Sequence, residues 1–125
     1  MILGLGVDVC PVERIERILD RHGELFSKRV FTEGELEHAG AGMATGERLA
    51  ARFAAKEATI KALGAPTGLG WHDMEVLRAA DGAPSLQLTG KAGDRAREMG
   101  VIRTLVSLSH AGGVAVAVVI LEGDN

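Results

Sequence analysis

The chain carries one cysteine, Cys10, among 125 residues. A lone thiol forms no internal disulfide and no cysteine metal cluster, a pattern that suits a reducing, cytoplasmic setting. Tyrosine is absent and aromatics make up only 3% of the chain, so there is no stacking platform for single-stranded bases. Neither sign of charge dominates: 14 Lys and Arg stand against 17 Asp and Glu, a formal net charge of −3. The basic footprint of a nucleic-acid binder is missing. The longest uninterrupted apolar run, Val114 to Leu121, falls far short of the ~20 residues that span a bilayer. No positive stretch precedes the apolar start, so nothing reads as a signal peptide. Internal repeats and low-complexity tracts are lacking too. What is present, 46% hydrophobic and 25% charged residues, describes one ordinary globular domain over residues 1–125.

Local patterns divide the chain into elements. Ile2, Leu3, Leu5, Val7 and Val9, with Gly4 and Gly6 between them, predict a buried strand; glycine inside a strand marks close approach of another backbone or a ligand. Pro11 suits the first turn of a helix, continued by Val12, Ile15, Leu19 and His22 at helical spacing. Arg14, Arg17 and Arg21 share one face of that helix. Thr32 and Glu35 form a capping-box pattern for a helix to about Ala39. Thr45 is a candidate cap for a long helix reaching Leu63, with Gly64 as its stop. Two strands near Met74–Val76 and Leu86–Leu88 flank a turn at residues 81–84. A helix over Lys91–Met99 stops at Gly100. Val101–Ser109 and Val114–Leu121 then predict a hairpin. Segregated helices and antiparallel late strands predict an α+β fold, with an antiparallel sheet packed against the long central helix.

Three constellations bear on chemistry. Gly4-Leu5-Gly6-Val7-Asp8 looks like the start of a dinucleotide fingerprint, but Val9 stands where the third glycine belongs, and that reading fails. Asp8 remains, a carboxylate in an apolar strand; it caps the helix at Pro11 or needs a cation as partner. In the long helix, Phe53, Glu57 and Lys61 fall on one row, which makes Glu57 and Lys61 either a simple ion pair or part of a site. Arg52, Lys56 and Lys61 set three cations near that carboxylate, and small Ala54, Ala55 and Ala58 permit close approach. Ser107-Leu108-Ser109-His110 has neither an acid orienter nor an elbow motif for serine catalysis. No zinc-ligand spacing occurs.

Taken in order, Gly6-Val7-Asp8, Arg14-Ile15, Phe31-Thr32-x-x-Glu35, Arg52-Phe53-Ala54-Ala55-Lys56-Glu57-Ala58 with Lys61-Ala62, Gly68-Leu69-Gly70-Trp71-x-Asp73-x-Glu75, Gly82-x-Pro84 and Ser107-Leu108-Ser109-His110 resemble the holo-acyl-carrier-protein synthases, the small bacterial 4′-phosphopantetheinyl transferases. The resemblance spans nearly the whole chain. It implies transfer of phosphopantetheine from coenzyme A to a serine of an apo acyl carrier protein, with Mg²⁺ as cofactor and 3′,5′-ADP as the other product. It also implies a homotrimer with sites at subunit interfaces. Asp8 and Glu57 are then the metal ligands, and Glu57, Lys61 and His110 the catalytic candidates. Arg52, Lys56, Lys61, Gly64, Gly82, Pro84 and His110 are candidates for coenzyme A. Two carboxylates plus substrate phosphates meet the needs of Mg²⁺, a hard cation that keeps several waters. The face of Arg14, Arg17 and Arg21 would steer an acidic carrier, unless Glu13, Glu16 and Asp20 neutralise it. The chain departs from the family at one place: Ala111 stands where an oxygen-bearing side chain usually follows His110. A ligand-sensing module would leave Asp8 and Glu57 unexplained, and an oligomerisation domain would leave the residue 52–61 cluster without a purpose.

Overall fold

The computed structural model describes all 125 residues. In chain order the elements are β1 (Ile2–Pro11), α1 (Val12–His22), α2 (Glu24–Val30), α3 (Glu33–Ala39), α4 (Thr45–Ala62), a 3₁₀ turn (Trp71–Asp73), β2 (Met74–Arg78), β3 (Pro84–Leu88), α5 (Gly90–Met99), β4 (Val101–Ala111) and β5 (Val114–Gly123). β1, β5 and β4 make an antiparallel sheet in the order β1-β5-β4, and β2 and β3 make a second, two-stranded one. The α+β expectation holds, with α4 as the central helix. No helix is long and apolar enough to cross a membrane.

α4 can be central because its buried face is built of alanine. Ala50, Ala54, Ala55 and Ala58 are wholly buried and let β1 come against the helix backbone. A Cβ at Gly6 would lie 1.9 Å from the Ala58 carbonyl oxygen, and one at Gly4 would lie 2.2 Å from that of Ala62. Only glycine fits there. β5 supplies the rest of the floor: Ala115, Ala117, Val119 and Leu121 point inward and are fully buried, while alternate residues face the other way.

That alternation corrects the reading of β1 as a buried strand. Its helix-facing side carries Gly4, Gly6, Asp8 and Cys10. Leu5, Val7 and Val9 lie on the opposite face and are 64%, 53% and 53% exposed. In register they stand beside Ile120, Val118 and Val116 of β5, which pair in turn with Leu105, Ser107 and Ser109 of β4. The single chain thus presents an open, largely apolar sheet face.

The predicted capping box forms: Thr32 Oγ1 accepts from Glu35 N, and Glu35 Oε1 accepts from Thr32 N. Thr45 is not the cap of α4. Its hydroxyl turns back to the carbonyls of Ala39 and Gly40 and so ties the preceding loop to the helix, while Ala44 occupies the cap position. At the other end Gly64 takes φ +85°, which a left-handed stop requires.

Candidate active site

Asp8 faces α4 from β1, and Lys61 reaches back from the helix. Lys61 Nζ lies 3.1 Å from Asp8 Oδ1 and donates to the Val7 carbonyl at 3.0 Å. The Glu57–Lys61 pair that helical spacing allowed is not made, because the strand offers Lys61 a carboxylate and a carbonyl together. Glu57, one turn earlier and half-buried, takes part in no ion pair of the chain. Cys10 registers both carboxylates. Burial pushes its thiol above the ordinary value, Arg14 pulls it down, and Asp8 and Glu57 push it further up. Asp8 and Lys61 are thus joined across the seam of β1 and α4, and Glu57 lies one helical turn before Lys61 on the same row of α4. No three His, Cys, Asp or Glu side chains converge in the chain. Two carboxylates on an open seam fit a hard cation that keeps water and phosphate oxygens, not a closed four-ligand zinc site.

Lys56 departs from expectation. It is fully buried and ion-paired with Glu35 Oε1 at 2.8 Å, both side chains at 0% exposure. It also donates to the carbonyls of Trp71 and Met74. All three ammonium protons have acceptors inside the chain, which leaves none for a phosphate of coenzyme A. Glu35 is more than half of a capping box, since its second oxygen accepts from Val76 N at 2.9 Å. This knot joins α3, α4 and β2. The sequence showed the box but not its second role, because the partners lie 21 and 41 residues away.

Arg52 also turns inward, at 1% exposure. Its Nη1 donates to the Arg48 carbonyl, and Nε and Nη2 find no acceptor in the chain. Burial lowers its proton affinity, and nearby Arg78 and Arg48 lower it further against the pull of Glu35. As it stands, the guanidinium is closed off from a ligand at the surface. Gly82, at φ +87°, and Pro84 shape the tip of the β2–β3 hairpin, where Arg78 donates to the Gly82 carbonyl. β2 runs from Lys56, bonded at Met74, toward Arg52, which feels Arg78. Neither Gly82 nor Pro84 has a side-chain bond to α4, and a Cβ at Gly82 would meet nothing within 4 Å. Gly64 ends α4 next to Arg95, which donates to the Leu63 carbonyl.

His110 lies at the end of β4, on the helix-facing side in register with Ala115 and thence Cys10. Asp8 is two strands across and two residues along, about 12 Å away at ordinary strand spacing. Within one chain His110 does not join Asp8, Glu57 and Lys61. Its Nδ1 lies instead 2.7 Å from Glu47 Oε2 in the first turn of α4, a partner that the sequence reading missed.

On α1, Arg14, Arg17 and Arg21 line a groove with Ile18 and His22. It continues into a second one of His22, Leu25, Phe26 and Arg29. Of the three, Arg17 alone forms an ion pair, with Glu13 at 3.9 Å. Glu16 packs against Gly46 of α4 instead, so the acids leave Arg14 and Arg21 unpaired. Leu25, 81% exposed, gives the cationic face an apolar border.

Comparison with known proteins bears on the family and the fold. The model of the 4′-phosphopantetheinyl transferase superfamily matches residues 4–119. A holo-[acyl-carrier-protein] synthase of Anaeromyxobacter dehalogenans is 55% identical over 98% of each chain. The holo-ACP-synthase structure from Plasmodium yoelii superposes with a TM-score of 0.86 at 32% identity, covering 100% of this chain and 98% of that one. The synthase of Bacillus anthracis, crystallised in complex with CoA (3′,5′-ADP), gives 0.80 at 36% identity over 99% of both. With the family model, these relatives and the fold in agreement, the chain belongs to the holo-acyl-carrier-protein synthase family of the 4′-phosphopantetheinyl transferase superfamily and is an enzyme of that class.

Proposed function

We propose that this chain moves the 4′-phosphopantetheine group of coenzyme A onto a serine of an apo acyl carrier protein, releases 3′,5′-ADP, and depends on Mg²⁺. The observation that carries this reading is the seam where Asp8 and Glu57 flank Lys61 in a chain of this family. Asp8 and Glu57 would hold Mg²⁺ with their free carboxylate oxygens. Bound there, the ion would polarise the pyrophosphate and offset charge on the leaving nucleotide. Lys61, tethered to Asp8 and the Val7 carbonyl, lies one turn past Glu57 and can swing its partly exposed ammonium to the same phosphates. Positioning and electrostatics supply most of the catalysis in phosphoryl transfer, and the attacking hydroxyl comes from the carrier. Glu57, which takes part in no ion pair of the chain, is available to receive the serine proton.

The working enzyme is a homotrimer in this reading. Leu5, Val7, Val9, Val116, Val118 and Ile120 leave an apolar sheet face open to water, and a second copy of the chain is the covering that a symmetric oligomer provides. His110, about 12 Å from Asp8 in its own chain, would complete a neighbour's site across that contact. The cationic groove of α1 and α2 docks the acidic carrier. The cytoplasm is the compartment where the lone free thiol and both substrates fit together.

The test is direct. The enzyme is incubated with coenzyme A and an apo carrier, with and without Mg²⁺, and the carrier is weighed. A gain of one phosphopantetheine group only with Mg²⁺, with 3′,5′-ADP as co-product, supports the reading. Transfer that survives Asp8→Asn or Glu57→Gln at wild-type rate removes the metal assignment. A monomer by sedimentation at micromolar concentration removes the trimer.

A further inference from the structure

We propose that Glu47 is a positioning residue for His110: it fixes the imidazole with the proton on Nδ1 and turns Nε2 toward the ligand. The inference rests on the reading that His110 serves the coenzyme A site. Nδ1 and Oε2 are 2.7 Å apart, a separation between two electronegative atoms that is favourable only with a proton between them. A carboxylate has no proton to give at neutral pH, so the ring supplies it from Nδ1. Nε2 is then the only nitrogen left for other work. It can donate to a phosphate when the ring is charged or accept a proton when it is neutral.

Glu47 is the one hydrogen-bonding or ion-pair partner of this ring in the chain. Ala111 offers no polar side chain, and Gly112 and Gly113 form an open turn with nothing within 4 Å of an added Cβ. The ring is 59% exposed and Glu47 43% exposed, so packing does not hold it either. Glu47 belongs to the first turn of α4, the helix that carries Glu57 and Lys61. The contact therefore ties the β4–β5 turn to the element that carries the metal-ligand candidate.

Ring nitrogens of His110 are followed by ¹⁵N–¹H correlation spectra of the full enzyme, assigned with His110→Ala. The wild type is expected to show a protonated Nδ1, and Glu47→Ala a mixture of tautomers. Steady-state transfer is then measured for Glu47→Ala, His110→Ala and the double variant. Glu47→Ala is expected to lower kcat/KM for coenzyme A about 5- to 30-fold, the cost of one charge-assisted contact. The double variant should be no worse than His110→Ala alone, since the carboxylate acts only through the ring. Glu47→Gln, whose amide oxygen can still accept from Nδ1, should recover most of the loss. Losses that multiply in the double variant, or a wild-type ring with Nδ1 bare, overturn the proposal. A wild type that modifies no carrier defeats the functional reading instead and leaves the tautomer result standing.

Discussion

Two lysines five residues apart on α4 should fail in opposite ways when replaced by methionine. Lys56 has 0% side-chain exposure, pairs with an equally buried Glu35 and serves two carbonyls. Lys56→Met keeps the stem but strands the Glu35 carboxylate and both carbonyls. Breaking a buried pair from one side costs ~3–5 kcal/mol. For a chain of this size that lowers Tm by about 10–20 °C. Lys61 is 54% exposed and its partner Asp8 21%, so water screens the pair and its loss costs ~1 kcal/mol or less. Lys61→Met should therefore melt within about 3 °C of wild type while transfer falls ~10²–10³-fold, as when a positioned charge is withdrawn from a developing anion. Circular-dichroism melts and carrier-modification rates, taken well below either midpoint, separate the two. Lys56→Met should retain a near-normal KM for coenzyme A when folded. If it melts with the wild type and instead loses coenzyme A affinity, Lys56 belongs to the nucleotide site and holds no buried knot.

Burial holds the Lys56 ammonium below its ordinary value of 10.5 despite the pull of Glu35. Between that depressed value and 10.5 the unfolded chain binds more protons, so this group's share of stability rises with pH across that window. Urea midpoints of the wild type should climb toward pH 10.5 relative to Lys56→Met, and parallel pH profiles would count against it. Gly6→Ala should cost ~3 kcal/mol or more, because its Cβ would meet a backbone oxygen at 1.9 Å; Gly42→Ala, with nothing within 4 Å, serves as the neutral control in the same melts. Arg14→Glu or Arg21→Glu should raise KM for the carrier, less so at high salt, and leave KM for coenzyme A unmoved; equal changes in both constants would tie α1 to the nucleotide. Ala111→Ser or Ala111→Asp should raise kcat more than it alters coenzyme A affinity, by up to ~5- to 150-fold for one regained contact; unchanged rates would make position 111 a tolerant turn.

The local grammar of this protein is legible in its residues alone. The Thr32–Glu35 box, the glycine stop at Gly64, the alanine-rich helix and the closing hairpin follow from short-range backbone chemistry, and they form as read. So does the family, because its motifs are short blocks in fixed order. Tertiary structure decided which faces those elements bury. β1 reads as a buried strand led by Leu5, Val7 and Val9, yet its glycine, aspartate and cysteine side meets α4 while those three stay open, since only a side without bulky side chains can approach the helix backbone. The cations of α4 look alike in sequence. Contacts 21 and 54 residues distant set them apart: Glu35 draws Lys56 into the core, and the β1 edge holds Lys61 at the surface. Glu47 carried no signal of its own, because a surface glutamate in a first helical turn is ordinary helix chemistry. Only the return of β4 to the start of α4 made it the neighbour of His110.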